Sequence, residues 1–207
     1  LFIGLHACGS LRNYLIDFYA RSNAKSFISF GCCYHKHDNE NLFNLSKMAK
    51  NNPLDLSKHA QTLAAKSNSY ITHQLFDERV IVKKYRYAFH LLLNKFFDVH
   101  EFQGLGNYSK QLYMGSFEQY AQHFLNKLSL NLEHSQITEF YQDRTLHKNI
   151  EFLIKAGVIR GLFGRLIEIY ILLDRTLYLK DLGHEVSMLE VFEKRISPRN
   201  IAIVSSS

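Results

Sequence analysis

The chain has 207 residues, of which 46% are hydrophobic and 14% aromatic, with a formal net charge of +6 at pH 7. That apolar content supplies a sizeable core and excludes wholesale disorder, and the length suits one domain or one domain with a large insertion. The basic balance is compatible with an acidic partner such as RNA, and equally with a soluble enzyme rich in surface lysine.

Three cysteines, Cys8, Cys32 and Cys33, are an odd number with two adjacent. They make no disulfide framework and suit a reducing compartment, so an intracellular location, cytoplasmic or nuclear, is expected. The first residues lack the basic start and small-residue cleavage site of a secretory signal. The longest apolar segment, Ala156 to Leu179, contains Arg160, Arg165, Glu168, Asp174 and Arg175. It predicts a buried helix rather than a bilayer span, and no membrane association is expected.

In chain order, Leu1 to Leu5 is an apolar run that stops at His6-Ala7-Cys8-Gly9. It reads as a buried strand whose carboxyl end delivers polar groups into a crevice, with Ser10 capping the next helix. Residues 10–21 follow at helical spacing, with Leu11, Tyr14, Leu15, Phe18 and Tyr19 expected on the buried face. Ser26 to Phe30 is a second strand, ending at Gly31-Cys32-Cys33-Tyr34. Strand, helix and strand with a short turn predict a right-handed unit with adjacent parallel strands, whose two carboxyl ends face one crevice.

Residues 35–52 read as a polar loop with a weak helical patch at Leu42, Phe43 and Leu45. A helix is expected from Ser57 to about Ser67, and another from Val80 to Phe97, whose Val80-Ile81-Val82 start could instead be extended. Ser116-Phe117-Glu118-Gln119 matches a capping box opening a helix to about Leu128. Two helices, 135–156 and 158–179, are expected to be divided by Gly157. Residues 185–192 and 200–205 complete the chain as an antiparallel pair. The expected organisation is a strand–helix–strand core over 1–34, a mostly helical region over 35–183, and a β-hairpin over 184–207.

Several blocks together resemble the methyltransferase-like protein twenty-five family. Gly4-Leu5-His6-Ala7-Cys8-Gly9-Ser10-Leu11 is similar to its Gly-Leu-His-Thr-Cys-Gly-Asp-Leu, and Ser29 to Tyr34 to its Ser-Val-Gly-Cys-Cys-Tyr. Lys84 to Ala88, Ile171 to Arg175 and Ile196 to Asn200 resemble three further blocks in the same order. The resemblance implies an α/β fold: the second half of a class I methyltransferase, Rossmann-like sheet whose last strand is antiparallel. The helical region is then a large insertion between strands five and six, followed by the C-terminal antiparallel hairpin. It implies S-adenosylmethionine as cofactor and RNA or a protein as substrate. The family's glycine-rich loop after strand one and its ribose-holding acid after strand two have no counterpart in this sequence. The chain is therefore expected to be a carboxyl-terminal part, inactive alone. The alternative is a methyltransferase-like scaffold that binds RNA or a protein through its helical region without turnover.

On this reading Leu5, His6, Gly9 and Gly31 border the cofactor. His6 takes a proton, Cys8 is a candidate nucleophile, and Tyr34 serves catalysis or stacks on a planar acceptor. Cys33, Tyr34, Tyr85, Arg86 and Arg199 are the candidate substrate contacts. Lys83-Lys84-Tyr85-Arg86-Tyr87 interleaves cations with aromatics as an RNA surface does, though a solvated helix face has the same pattern. His6, Cys8, Cys32, Cys33, His35 and His37 supply metal-ligand atoms that could converge, but no metal is expected: there is no Cys-x-x-Cys knuckle, and adjacent cysteines do not easily both reach one tetrahedral ion.

Overall fold

The computed structural model describes residues 1–36, 44–66, 71–106 and 110–206. The chain divides into two compact units, Leu1–Tyr70 with Ile159–Ser207, and Ile71–Val158.

The first unit is built on a four-stranded mixed sheet in the order β1-β2-β4-β3, comprising β1 (Phe2–Ala7), β2 (Ser26–Gly31), β3 (Glu185–Glu190) and β4 (Ile201–Ser206). β1 and β2 pair parallel through the crossover helix α1 (Ser10–Ala20). β4 is antiparallel to both β2 and β3, so the hairpin at the end of the chain is built into the sheet with its second strand innermost. β1 lies at one edge.

One face of the sheet, presenting Phe27, Ile201, Ile203 and Val186, is buried by Ile16 and Tyr19 of α1 and by Ile171, Leu172 and Leu179 of α7 (Arg144–Asp181). Tyr19 stacks on Phe27 at 5.0 Å between centroids and donates its hydroxyl to Ser205 Oγ at 3.1 Å. The strand residues of opposite parity, Ile3, Leu5 and Leu189, remain exposed on the other face.

The buried stripe of α1 differs from the expected one. Arg12, Asn13, Ile16 and Tyr19 face inward, and Leu11, Tyr14 and Phe18 face outward. Of the expected stripe Tyr19 is buried and Leu15 packs partly against the core, while Leu11, Tyr14 and Phe18 turn outward because the inner face holds two polar residues. Nor does Ser10 cap the helix: the N-cap is Gly9, at φ 53°, and Ser10 is already the first helical residue. A left-handed φ of that kind suits glycine, which has no Cβ to clash.

The remaining elements are α2 (Lys47–Asn51), α3 (Lys58–Lys66), α4 (His73–Phe97), α5 (Phe117–Lys127) and α6 (His134–Gln142), with a 3-10 turn at Lys110–Tyr113. Ser46 caps α2 through Ala49 N, inside the segment expected to be loop; the patch expected at Leu42 and Phe43 lies outside the described residues. Val80-Ile81-Val82 is helical, within α4. The Ser116/Gln119 capping box is present as expected.

Gly157 does not divide two helices. α7 runs through it, and the break falls at Asp143, whose carboxylate accepts from Thr145 N at 2.7 Å. The stretch expected to be buried throughout is exposed at Ile159, Leu162, Phe163 and Leu166, and is buried mainly from Ile171 onward. No helix among the described residues is long and apolar enough to cross a membrane. In the second unit α4, α5, α6 and the start of α7 share a core of Phe89, Leu92, Phe117, Tyr120, Phe124, Ile137 and Ile150.

Candidate functional site at two strand ends

The carboxyl ends of β1 and β2 meet, and an irregularity in their pairing decides how. The register runs Phe2 with Phe27, Ile3 with Ile28 and Gly4 with Ser29, but Ala7 then lies opposite Gly31. β1 thus spends three residues where β2 spends two. A bulge of this kind bends the strand and re-aims its side chains. Leu5 and His6 are both exposed here, breaking the alternation of a regular strand. Without the extra residue Cys8 would fall opposite Cys33; with it, Cys8 falls opposite Cys32.

The two ends are tied by a backbone bond from Gly9 N to Cys33 O at 3.1 Å. Cys8 Sγ and Cys32 Sγ are 2.8 Å apart, and the sulfurs of Cys8, Cys32 and Cys33 all lie within 4.8 Å of one another. All three side chains are part-exposed. The hydrogen bond from Cys32 lowers the Cys8 thiol pKa, with help from Cys33 and the Lys36 charge. Burial, and the proton shared with Cys8, push the Cys32 thiol up to about 12. The adjacency of Cys32 and Cys33 does not keep their sulfurs apart, because the backbone leaves β2 at Gly31 and is no longer an alternating strand.

Beneath the strand ends lies a network of buried charge. Tyr34 is buried, donates its hydroxyl to Glu168 Oε1 at 3.1 Å, and has its own ionisation pushed up to about 12, chiefly by burial. Glu168, 1% exposed, also accepts from Arg165 Nη1 at 2.8 Å and Arg199 Nη1 at 3.1 Å. Arg165 reaches Asn200 Oδ1 as well, at 3.0 Å, and Arg199 donates to the Ala64 carbonyl at 3.0 Å. The Arg12 guanidinium, 2% exposed, sits 5.7 Å from the centre of the Tyr34 ring. A Cβ on Gly31 would run into Arg12 Nη1 and Tyr34 Oη, so glycine is needed there for protein packing. Asp174 accepts from the backbone N–H groups of Leu45 and Ser46 and from Ser46 Oγ, at 2.9–3.0 Å, which anchors the start of α2.

The candidate residues therefore fall into three groups. Leu5, His6, Cys8, Gly9 and Cys33 are gathered at the strand ends, Leu5 and His6 exposed. Gly31, Tyr34 and Arg199 belong to the buried layer behind them, and the carboxylate that Arg199 reaches is the chain's own Glu168. Tyr85 and Arg86 lie in the second unit, where Tyr85 donates to the Gly115 carbonyl at 2.8 Å and packs among Tyr113, Phe117, Tyr120 and Tyr141. Arg86 bonds Tyr113 Oη and the Gly106 carbonyl. Sequence reasoning missed Arg12 and Glu168. Their signal was a charge at a core-facing position of a helix, visible only once the correct face is known.

Residues 1–40 match a family model described as a methyltransferase domain, and no solved structure matches the chain. A generic methyltransferase-like domain is thus indicated over the opening strand, α1, β2 and the strand ends just described. The mixed sheet is consistent with part of a Rossmann-like fold.

Proposed function

We propose that this chain carries one wall of an S-adenosylmethionine-dependent methyltransferase site whose acceptor is an RNA or a protein. The observation that carries the reading is the meeting of His6–Gly9 with Gly31–Tyr34 at the carboxyl ends of adjacent parallel strands, within the segment matching a methyltransferase domain. Ligands of open α/β sheets bind at such strand ends. The single antiparallel strand, the last in sequence, agrees with the sheet that the family resemblance implies.

The residues present fit one side of the cofactor. Gly9, in its left-handed conformation, opens α1 without a side-chain cap, which leaves a close backbone approach at the strand end. A glycine-rich turn with an acidic residue on the next strand, the usual grip on a ribose, does not occur among the described residues. When bound, S-adenosylmethionine supplies a methyl group carried on a sulfonium.

Around it, Leu5 and Gly9 shape the edge, and His6 is placed to receive the proton that an acceptor hydroxyl or amine loses. In-line transfer depends chiefly on how the two reacting groups are held. Tyr34, Arg12 and the Glu168 network are positioning residues: they hold the Gly31–Tyr34 turn against α1 and α7. Tyr85 and Arg86 are engaged inside the second unit, so the reading does not lean on them. Calorimetric titration of the native full-length protein with S-adenosylmethionine tests the proposal. Saturable binding is expected, and no heat of binding at millimolar cofactor would overturn it.

A further inference from the structure

We infer that Cys8, Cys32 and Cys33 form a three-thiolate site for a thiophilic, closed-shell metal ion of the zinc class, joining the ends of β1 and β2. This goes beyond the methyltransferase reading and does not depend on it. Three sulfurs within 4.8 Å of one another form a donor set with a common centre. Metal–thiolate bonds of about 2.3 Å in tetrahedral geometry place sulfurs about 3.8 Å apart. The Cys8–Cys32 pair, at 2.8 Å, must then open by roughly 1 Å, a small side-chain rotation for part-exposed residues.

An all-sulfur set selects Zn2+ or Cu+ over Mg2+, Ca2+ or Mn2+, which require oxygen donors. Three protein ligands leave a fourth position for water or a substrate atom, as in open zinc sites. The sulfurs also lie close to the start of α1, which begins two residues after Cys8. The β1 bulge acquires a purpose on this reading, since it brings Cys8 to Cys32. On binding, each thiol gives its proton to solvent as its metal–sulfur bond forms. The metal keeps its oxidation state and no electron is transferred.

The test uses protein purified without chelator from zinc-supplemented medium. Elemental analysis is expected to find about one zinc per chain, falling to background in Cys32→Ser and in Cys33→Ser. Circular dichroism of each variant identifies one that has failed to fold. A second arm avoids substitution altogether. The chelator-stripped chain is titrated with Cd2+ while sulfur-to-cadmium charge-transfer absorption and thiol alkylation are followed. Saturation at one equivalent, with joint protection of all three thiols, is expected. Metal retained after the cysteines are replaced, or three thiols alkylated freely under saturating Cd2+, would overturn the inference. So would a metal-free protein isolated with a Cys8–Cys32 disulfide. Cofactor titration of the same preparations reports separately on the methyltransferase reading.

Discussion

Glu168→Gln is the substitution that most directly probes what holds the strand ends in place. Glu168 accepts from Arg165, Arg199 and Tyr34 at 2.8, 3.1 and 3.1 Å, while its own side chain is almost completely buried. Hydrogen bonds to a charged group are each worth about 1.5–3 kcal/mol, and breaking a buried pair on one side costs about 3–5 kcal/mol because the partner charge is left uncompensated. Glutamine keeps one oxygen for Tyr34 and Arg199 but turns an NH2 group toward Arg165. Arg165 and Arg199 are partly solvated, at 26% and 17% side-chain exposure, which reduces the penalty. The expected loss is therefore about 3 kcal/mol, toward the lower end of that range. All three cysteines belong to the same unit as Glu168, so thiol labelling during urea denaturation reports on that unit alone. The midpoint should fall with the urea slope unchanged. Glu193→Gln, which removes an exposed pair with Arg195 in the same unit, should leave the midpoint unmoved. A loss below about 1 kcal/mol for Glu168→Gln would refute the claim that this carboxylate organises the buried layer.

Gly31→Ala should destabilise the same unit by about 1–3 kcal/mol, because the added methyl displaces Arg12 or Tyr34; an unchanged urea midpoint would count against that packing. Gly161→Ala has the opposite sign. Outside the helix's own backbone and the two adjoining residues no atom lies within 4 Å of the new Cβ, so helical preference alone should raise stability by about 0.5–1 kcal/mol, whereas a lowered midpoint would mean that α7 is interrupted there. The fourth prediction concerns alkaline pH. Burial pushes Tyr34 and Tyr141 up to about 12, so as pH rises above about 10 the unfolded chain releases protons that the folded chain retains, and stability falls. Spectrophotometric titration should show tyrosinate formation delayed until unfolding; complete ionisation near pH 10 with circular dichroism unchanged would contradict it.

The paired strands were legible because both are short apolar runs that end in polar residues, and a crossover helix of one length leaves few ways to connect them. The inner face of α1 was not legible. Arg12 and Asn13 are buried there, Arg12 over the ring of Tyr34 and beside Gly31, and those neighbours are not read from the helix's own sequence. Gly157 looked like a helix stop since glycine is a poor helix former, but a single glycine costs only about 1 kcal/mol, and α7 absorbs it. The facing of Cys8 by Cys32 and Cys33 was legible from the paired strand ends, but which sulfurs touch was not. Composition gives no sign of the extra residue in β1, and a shift of one residue decides which sulfurs meet. Leu5 to Gly9 were singled out as a strand end, yet nothing in their order says that Leu5 and His6 both turn to solvent.

The position of β4 sets the order in which this molecule can assemble. It is the last strand in sequence, yet it bonds on one side to β2 and on the other to β3. During synthesis, β1, α1 and β2 emerge before β3 and β4, and about 170 further residues must follow β2 before Ile201 appears, roughly 10–30 s at ordinary elongation rates. Through that interval β2 exposes an unpaired edge, and Phe27 lacks the cover that α7 and β4 later provide. The nascent chain is thus a client for holding chaperones, and truncation before Ile201 should yield aggregates rather than a smaller folded sheet.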